Sequence, residues 1–125
     1  MGFWNVIAAG GAAWLAGLVY YARLGDVRAS LAGVQNPASG LPLWIGGLAV
    51  LILVAGFLRH IFFVSGLTSN VPLGAVAGSG VGLFFIAPWI GLMNFADRRP
   101  FSLTLLDGAY ATLASGIMGG LLVAF

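Results

Sequence analysis

Ionisable residues that interrupt long apolar stretches are the first candidates for chemistry in this sequence. Arg59, His60 and Asp107 are of this kind, and Tyr110 follows Asp107 by about one helical turn. Because a charge inside a membrane is costly, such residues are functional candidates by default. A carboxylate at position 107, with Thr104 and Tyr110 nearby, has the chemistry to bind a proton or a cation.

Two interpretations of Asp107 are open. The favoured one is an ion pair with Arg98 or Arg99 that pins the turn before the last helix, where the helix dipole also favours a carboxylate. In the alternative interpretation, Asp107 faces the interior of the protein as a proton or cation site. The sequence places the carboxylate near the membrane surface, where it remains hydrated, and this favours the ion pair.

Arg59 and His60 also have alternative roles. Arg59 is either an anchor that extends its side chain to the membrane surface or a site for an anionic head group or substrate. His60 is the single histidine, and one histidine cannot form a bis-histidine haem site or a zinc site unless a second chain supplies a partner. The chain has no cysteine, no glutamate, no nucleophile elbow and no phosphate-binding loop. We therefore expect no catalytic residues, no metal, no cofactor and no enzymatic activity.

The composition indicates an integral membrane protein. Hydrophobic residues make up 61% of the chain and charged residues 6%, and the mean hydropathy is +1.07. About a quarter of the residues in a soluble globular domain are charged. The sequence pI of about 9.7 comes from few charges, so it does not predict nucleic-acid binding.

The chain of 125 residues accommodates four membrane helices and leaves no room for a soluble domain. We predict an all-α four-helix membrane bundle in a single transmembrane domain. The connection after the first span has a helical period of apolar residues, so a short helix on the membrane surface and an ordinary loop are both open there. The predicted spans are 3–22, 43–64, 71–96 and 102–124.

Glycines recur every four residues in the last two spans and predict close helix packing. Small residues at this spacing lie on one helix face and allow two backbones to approach in lipid. Such faces could also support a homo-oligomer or a complex with another membrane protein. Pro88 is expected to bend the third span. The predicted packing glycines are Gly74, Gly78 and Gly82 in the third span and Gly108, Gly116 and Gly120 in the fourth.

The arginines predict the orientation in the membrane. Four of the five lie in or beside the first and third connections, and basic residues are enriched on the cytoplasmic side. Both termini are therefore expected outside the cytoplasm. The four arginines are Arg23, Arg28, Arg98 and Arg99.

The last two spans resemble a known family. The segments 94–103, 106–110 and 116–119 are similar to the C-terminal half of a family of small bacterial membrane proteins, catalogued as a domain of unknown function, number seventeen sixty-one. The first span resembles the family at Asn5-Val6 and at 17–21, although Tyr20 stands where the family has Trp. The resemblance implies four spans and a bacterial cytoplasmic (inner) membrane, and it implies no activity.

Three functions are compatible with the sequence. The favoured one is a structural or accessory membrane subunit that forms assemblies through its glycine faces. The alternative is a small-solute or proton-coupled transporter that uses Asp107. A weaker alternative is a lipid or tetrapyrrole binder, in which Trp14 and Trp89 line a cavity between helices.

Overall fold

The structure, a computed structural model, describes residues 4–33, 40–67 and 69–125. These residues form helices joined by turns, and the all-α prediction is confirmed. The third long helix contains five residues of π-helix at its centre. The elements are α1 (Trp4–Ala32), α2 (Leu41–Val64), α3 (Val71–Val81), the π-helix (Gly82–Ile86), α4 (Ala87–Ala96) and α5 (Phe101–Ala124).

Within the described ranges, four continuous helices are long and apolar enough to cross a membrane, where α3, the π-helix and α4 count as one span, Val71–Ala96. The protein is a multi-pass membrane protein with a four-helix bundle. Large apolar side chains point outward, as in Leu53, Phe85 and Phe95, which are 73%, 74% and 82% exposed. Such exposure suits a surface that is solvated by lipid, because the surrounding hydrocarbon is as apolar as these side chains.

The first helix is longer than the predicted span. Residues 23–32 continue α1 without a break, so the described part of the first connection does not form a separate surface helix. No proline interrupts this segment, and Gly33 then ends the helix at a φ of 72°. At 29 residues α1 is about 43 Å long, which exceeds the hydrocarbon thickness of about 30 Å. Residues 3 and 34–39, which belong to the predicted first span and first connection, lie outside the described residues.

Local signals set the other helix starts. Gly40, at a φ of 89°, precedes α2, and Pro42 occupies its first turn, where a missing amide proton has no cost. Asn70 caps α3, because its side chain accepts a hydrogen bond of 3.1 Å from the Leu73 amide. Pro72 occupies the first turn of α3 in the same way.

The third and fourth spans pack backbone to backbone along their length. A Cβ at Gly74 would lie 2.7 Å from the carbonyl oxygen of Gly119, and one at Gly82 would lie 2.5 Å from that of Ala111. At Gly78 it would overlap the Ser115 carbonyl oxygen. These glycines are therefore required for the close approach of the two helices.

The π-helix keeps this contact face in phase. The first three contact glycines are four residues apart, but the next position on the face is Ala87, five residues after Gly82. The amide of Ala87 donates to the carbonyl of Gly82, an i→i−5 bond that adds one residue to the turn. Pro88 follows immediately and has no amide proton to donate. With this insertion, Ala87 faces Gly108 and Gly91 faces Thr104.

Helix α5 is the centre of the bundle and contacts each of the other helices. Helix α1 runs antiparallel to it, since Trp4 stacks edge-on against Phe125 and the Tyr110 hydroxyl donates to the carbonyl of Ala13. Residue 4 and residue 125 therefore lie at the same end of the bundle. Helix α2 packs against α1, where a Cβ at Gly10 would lie 2.9 Å from the backbone of Ile52.

Candidate functional site

Asp107 is the centre of a polar cluster at the end of the bundle where α5 begins. The Nε atom of Arg28 lies 2.9 Å from one carboxylate oxygen and 3.1 Å from the other. The hydroxyl of Tyr21 donates to the first of these oxygens at 2.8 Å. The Asp107 side chain is 11% exposed and that of Arg28 is 40% exposed. The carboxylate thus has a cationic partner and a neutral donor, both from α1.

The geometry of α1 explains why these two donors converge. Tyr21 and Arg28 are seven residues apart, so they share one helix face two turns apart, and both have long side chains. The neighbouring Tyr20 hydroxyl donates to the carbonyl of Leu106 at 2.5 Å. Rings of Tyr20, Tyr21 and Tyr110 contact each other, with centroids 5.1 to 5.5 Å apart. The tyrosines fix α1 against α5 and thereby hold Arg28 over Asp107.

The structure pairs Asp107 with Arg28, whereas the sequence favoured an ion pair with Arg98 or Arg99. Arg99 instead lies 3.7 Å from Asp97 within the turn. The turn forms a Schellman motif, in which the Arg98 and Arg99 amides donate to the carbonyls of Phe95 and Asn94. Both arginines are exposed there. The reason is the length of α1, because the extra turns after Ala22 carry Arg28 to the carboxylate.

Beside the cluster lies a cavity of about 440 Å³ that we call the α2/α4 cleft. Residues of α2, α4 and α5 line it, and Tyr21 and Arg28 of α1 line it beside Asp107. Apart from the cluster, Asn94 and Ser115, its lining is apolar or aromatic. The cleft is lined by Tyr21, Arg28, Val50, Leu51, Val54, Ile86, Trp89, Ile90, Met93, Asn94, Asp107, Tyr110, Ala111, Ala114, Ser115 and Met118.

Two further polar side chains border the cleft, and sequence reasoning had singled out neither. Asn94 is buried and donates to the Thr104 hydroxyl at 3.0 Å, which ties α4 to α5. Ser115 is 1% exposed, and its hydroxyl oxygen has no hydrogen-bond partner among the described residues. A signal for Tyr21 and Arg28 was available in their seven-residue spacing, whereas a single Ser or Asn in an apolar helix has no such signal.

The other site candidates from the sequence lie away from the Asp107 cluster. Arg59 and His60 are near the end of α2 that packs against the start of α1, at the opposite end of the bundle from Asp107. His60 is exposed beside the ring of Phe57. Trp14 does not line the cleft and donates instead to the backbone carbonyl of Trp44. No group of three metal-ligating side chains occurs within the described ranges.

The six predicted packing glycines also have defined positions. Those of the third span face the α5 backbone, and Gly108 faces Ala87. A Cβ at Gly116 would overlap only the Ser79 hydroxyl, and one at Gly120 would lie 3.6 Å from Ala75, an ordinary contact. Gly119, which the four-residue pattern passes over, meets the Gly74 backbone instead. Gly119 rather than Gly120 is thus the close-contact position near the C-terminus.

The chain belongs to the family described as Protein of unknown function (DUF1761), whose sequence model matches residues 4–123. No curated protein matches the chain, and no solved structure does. The family assignment predicted from the sequence is confirmed, and it supplies no activity.

Proposed function

We propose that this member of the DUF1761 family binds a small amphipathic molecule, which enters the α2/α4 cleft sideways from the lipid bilayer. The observation that carries the proposal is the cleft itself, an apolar cavity with the Tyr21, Arg28 and Asp107 cluster at one end. A site of this kind matches a molecule with a polar head and an apolar body, because each part finds its own environment.

The size and depth of the cleft support this proposal. Ligand cavities range from about 300 to 1,000 Å³ and are mostly apolar with few polar groups, and the volume of about 440 Å³ falls within this range. Asp107 lies about 9 Å from the start of α5, and Met118 lies about 16 Å further along the helix. A molecule in the cleft would therefore be oriented like a membrane lipid, with its head close to the membrane surface.

The location in the cell is part of the proposal. The family resemblance supports the cytoplasmic membrane of a bacterium. The arginine distribution supports an orientation with both termini outside. In that orientation the polar cluster lies on the cytoplasmic side, together with Arg98 and Arg99.

A second candidate function is transport coupled to a proton or cation at Asp107. The burial of this carboxylate beside a cavity favours it. A transporter of this kind must release Arg28 from Asp107 during its cycle, because the two oxygens already share the arginine. A proton-dependent flux in liposomes that Asp107→Asn abolishes would support transport over binding alone.

The assembly function stays a prediction. The closest glycine contacts are made within the chain, between the third and fourth spans, so these glycines do not by themselves provide a surface for a second subunit. Association with a second copy or with a membrane-protein partner therefore needs another face of the bundle.

Purification from the native membrane tests the binding proposal. The full chain is extracted in a mild detergent, and mass spectrometry measures the amphiphiles retained per protein molecule. Val50→Trp places a large ring in the cleft, and Leu53→Trp places the same ring on the lipid-facing side of the same helix. We expect the wild type and Leu53→Trp to retain the same molecule and Val50→Trp to lose it. Equal retention in all three proteins would contradict the proposal.

A further inference from the structure

We infer that the head group of the molecule bound in the α2/α4 cleft is anionic, a phosphate or a carboxylate, and that Arg28 binds it. This inference rests on the proposed function, since it assigns the chemical class of the ligand to the cleft already described. The inference depends on which charged group of the cluster, the Arg28 guanidinium or the Asp107 carboxylate, remains accessible to a ligand.

The hydrogen bonds from Arg28 to Asp107 use only part of its donor capacity. Both of its bonds to Asp107 leave from Nε, whereas a guanidinium group has five N–H donors in a planar fork. Arg28 lines the cleft, and its side chain is 40% exposed. Its two terminal amino groups make neither of these bonds, and two oxygens of a phosphate or a carboxylate can accept two parallel hydrogen bonds from such groups.

The carboxylate, by contrast, is largely occupied. Asp107 receives Arg28 on both oxygens and Tyr21 on one of them, and its side chain is only 11% exposed. A cationic head group would need to displace these donors and would meet the positive charge of Arg28 first. The accessible charge at this end of the cleft is therefore positive, and it selects an anion.

The surroundings add to this preference. Arg23, Arg98 and Arg99 are exposed at the same end of the bundle. Asp26 and Asp97 are exposed there as well, and Asp97 lies 3.7 Å from Arg99. Basic residues near the membrane surface attract anionic head groups. With four arginines (Arg23, Arg28, Arg98 and Arg99) and three aspartates (Asp26, Asp97 and Asp107), this end of the bundle has a net positive charge, which favours an anionic amphiphile.

The Ser115 hydroxyl is a second polar group, further along the cleft. It is buried, it lies about 12 Å along α5 from Asp107, and its oxygen has no partner among the described residues. A buried polar atom without a partner is unusual and calls for an explanation. An oxygen on the body of the ligand would provide the missing hydrogen bond.

The test uses the full chain in nanodiscs of neutral phosphatidylcholine. Trp4, Trp14 and Trp44 are replaced by phenylalanine, so that Trp89, which lines the cleft, is the single fluorescent reporter. Three probes with the same brominated alkyl chain quench this tryptophan on contact, and they carry a phosphate, a carboxylate or a neutral hydroxyl head. We expect the two anionic probes to bind about tenfold more tightly than the alcohol, as charge-assisted hydrogen bonds imply.

Arg28→Gln/Asp107→Asn is the informative variant, because it removes both charges and leaves no carboxylate unpaired. We expect this double variant to bind all three probes with the affinity that the wild type has for the alcohol. Its quenching curves also serve as the reference that corrects for partition of the probes into the bilayer. Arg23→Gln, which changes an exposed arginine on the same helix, should keep the tenfold preference.

The outcomes separate the two proposals. If the alcohol binds as tightly as the anions, the cleft binds amphiphiles and the anionic assignment is wrong. Val50→Phe places a ring in the cleft and is the control with a blocked site. If none of the probes quenches Trp89 more strongly than in this variant, the proposed function fails, and the assignment of an anionic head group fails with it. If inorganic phosphate at the same concentration displaces the phosphate probe, the site binds a free anion and the amphiphile is excluded. Failure of inorganic phosphate to displace the probe supports a ligand with an alkyl chain.

Discussion

The Nε atom of Arg28 lies 2.9 Å from a carboxylate oxygen of Asp107, although 79 residues separate the two along the chain. This contact joins the last turns of α1 to the lining of the α2/α4 cleft. The position of the first helix, the polar end of the cleft and the accessible charge in it therefore depend on the same pair.

Substitutions of Arg28 and of Asp107 are expected to have unequal effects on the free energy of unfolding. Arg28→Gln leaves a buried carboxylate with only Tyr21 as a donor, and we expect it to lower the free energy of unfolding by about 1–3 kcal/mol. Asp107→Asn leaves an arginine that is partly exposed, and its cost should be smaller. Unfolding titrations in detergent measure both values.

The double variant Arg28→Gln/Asp107→Asn completes the cycle. We expect it to be more stable than Arg28→Gln alone, because the unpaired charge is gone. Strict additivity of the two single effects would show that the pair does not interact energetically.

Glycine substitutions should separate contact glycines from exposed ones on the same helix. A methyl group at Gly78 would overlap the Ser115 carbonyl, so Gly78→Ala should destabilise the protein by about 1–3 kcal/mol through helix separation. A methyl group at Gly80 would meet no neighbouring helix or side chain within 4 Å, and Gly80→Ala should stabilise α3 by about 0.5–1 kcal/mol. Thermal unfolding measures the difference, and equal effects at the two positions would contradict the packed glycine face.

The turn between α4 and α5 has a backbone position that favours glycine. Arg98 has a φ of 57°, in the left-handed region, where a residue with a Cβ is strained by about 1–2 kcal/mol. Arg98→Gly should therefore raise the unfolding free energy by about 1 kcal/mol. Arg99→Gly is the control with the same loss of charge, and it should not be stabilising, because Arg99 lies outside that region. A lower stability of Arg98→Gly than of Arg99→Gly would disprove the strain argument.

The orientation can be tested with single cysteines, since the chain has none of its own. Ser69 precedes α3 and Ser102 lies at the start of α5, and both are exposed. With both termini outside the cytoplasm, a membrane-impermeant thiol reagent applied to intact cells should label Ser69→Cys at once. It should label Ser102→Cys only after permeabilisation. The opposite pattern would reverse the predicted orientation.

The membrane fold was predictable because its cause is local. A long uncharged segment in lipid must satisfy its own backbone hydrogen bonds, and a helix does so whatever its neighbours are. The glycine spacing also pointed to close packing between the last two spans. The π-helix was not predictable, because the extra residue is needed only to bring Ala87 and Gly91 onto the face that the glycines of α3 begin.

The sequence by itself determined the all-α class and the number of membrane helices, because hydrophobicity acts over a few neighbouring positions, and its short motifs identified the family. Only the tertiary structure decided that Asp107 pairs with Arg28 instead of Arg98 or Arg99, and that Gly119 rather than Gly120 makes the close backbone contact with the third span. An ion pair or a close helix contact depends on where two distant segments come together. That position depends on the full length of α1 and on the phase of each helix face, which no single stretch of the chain contains.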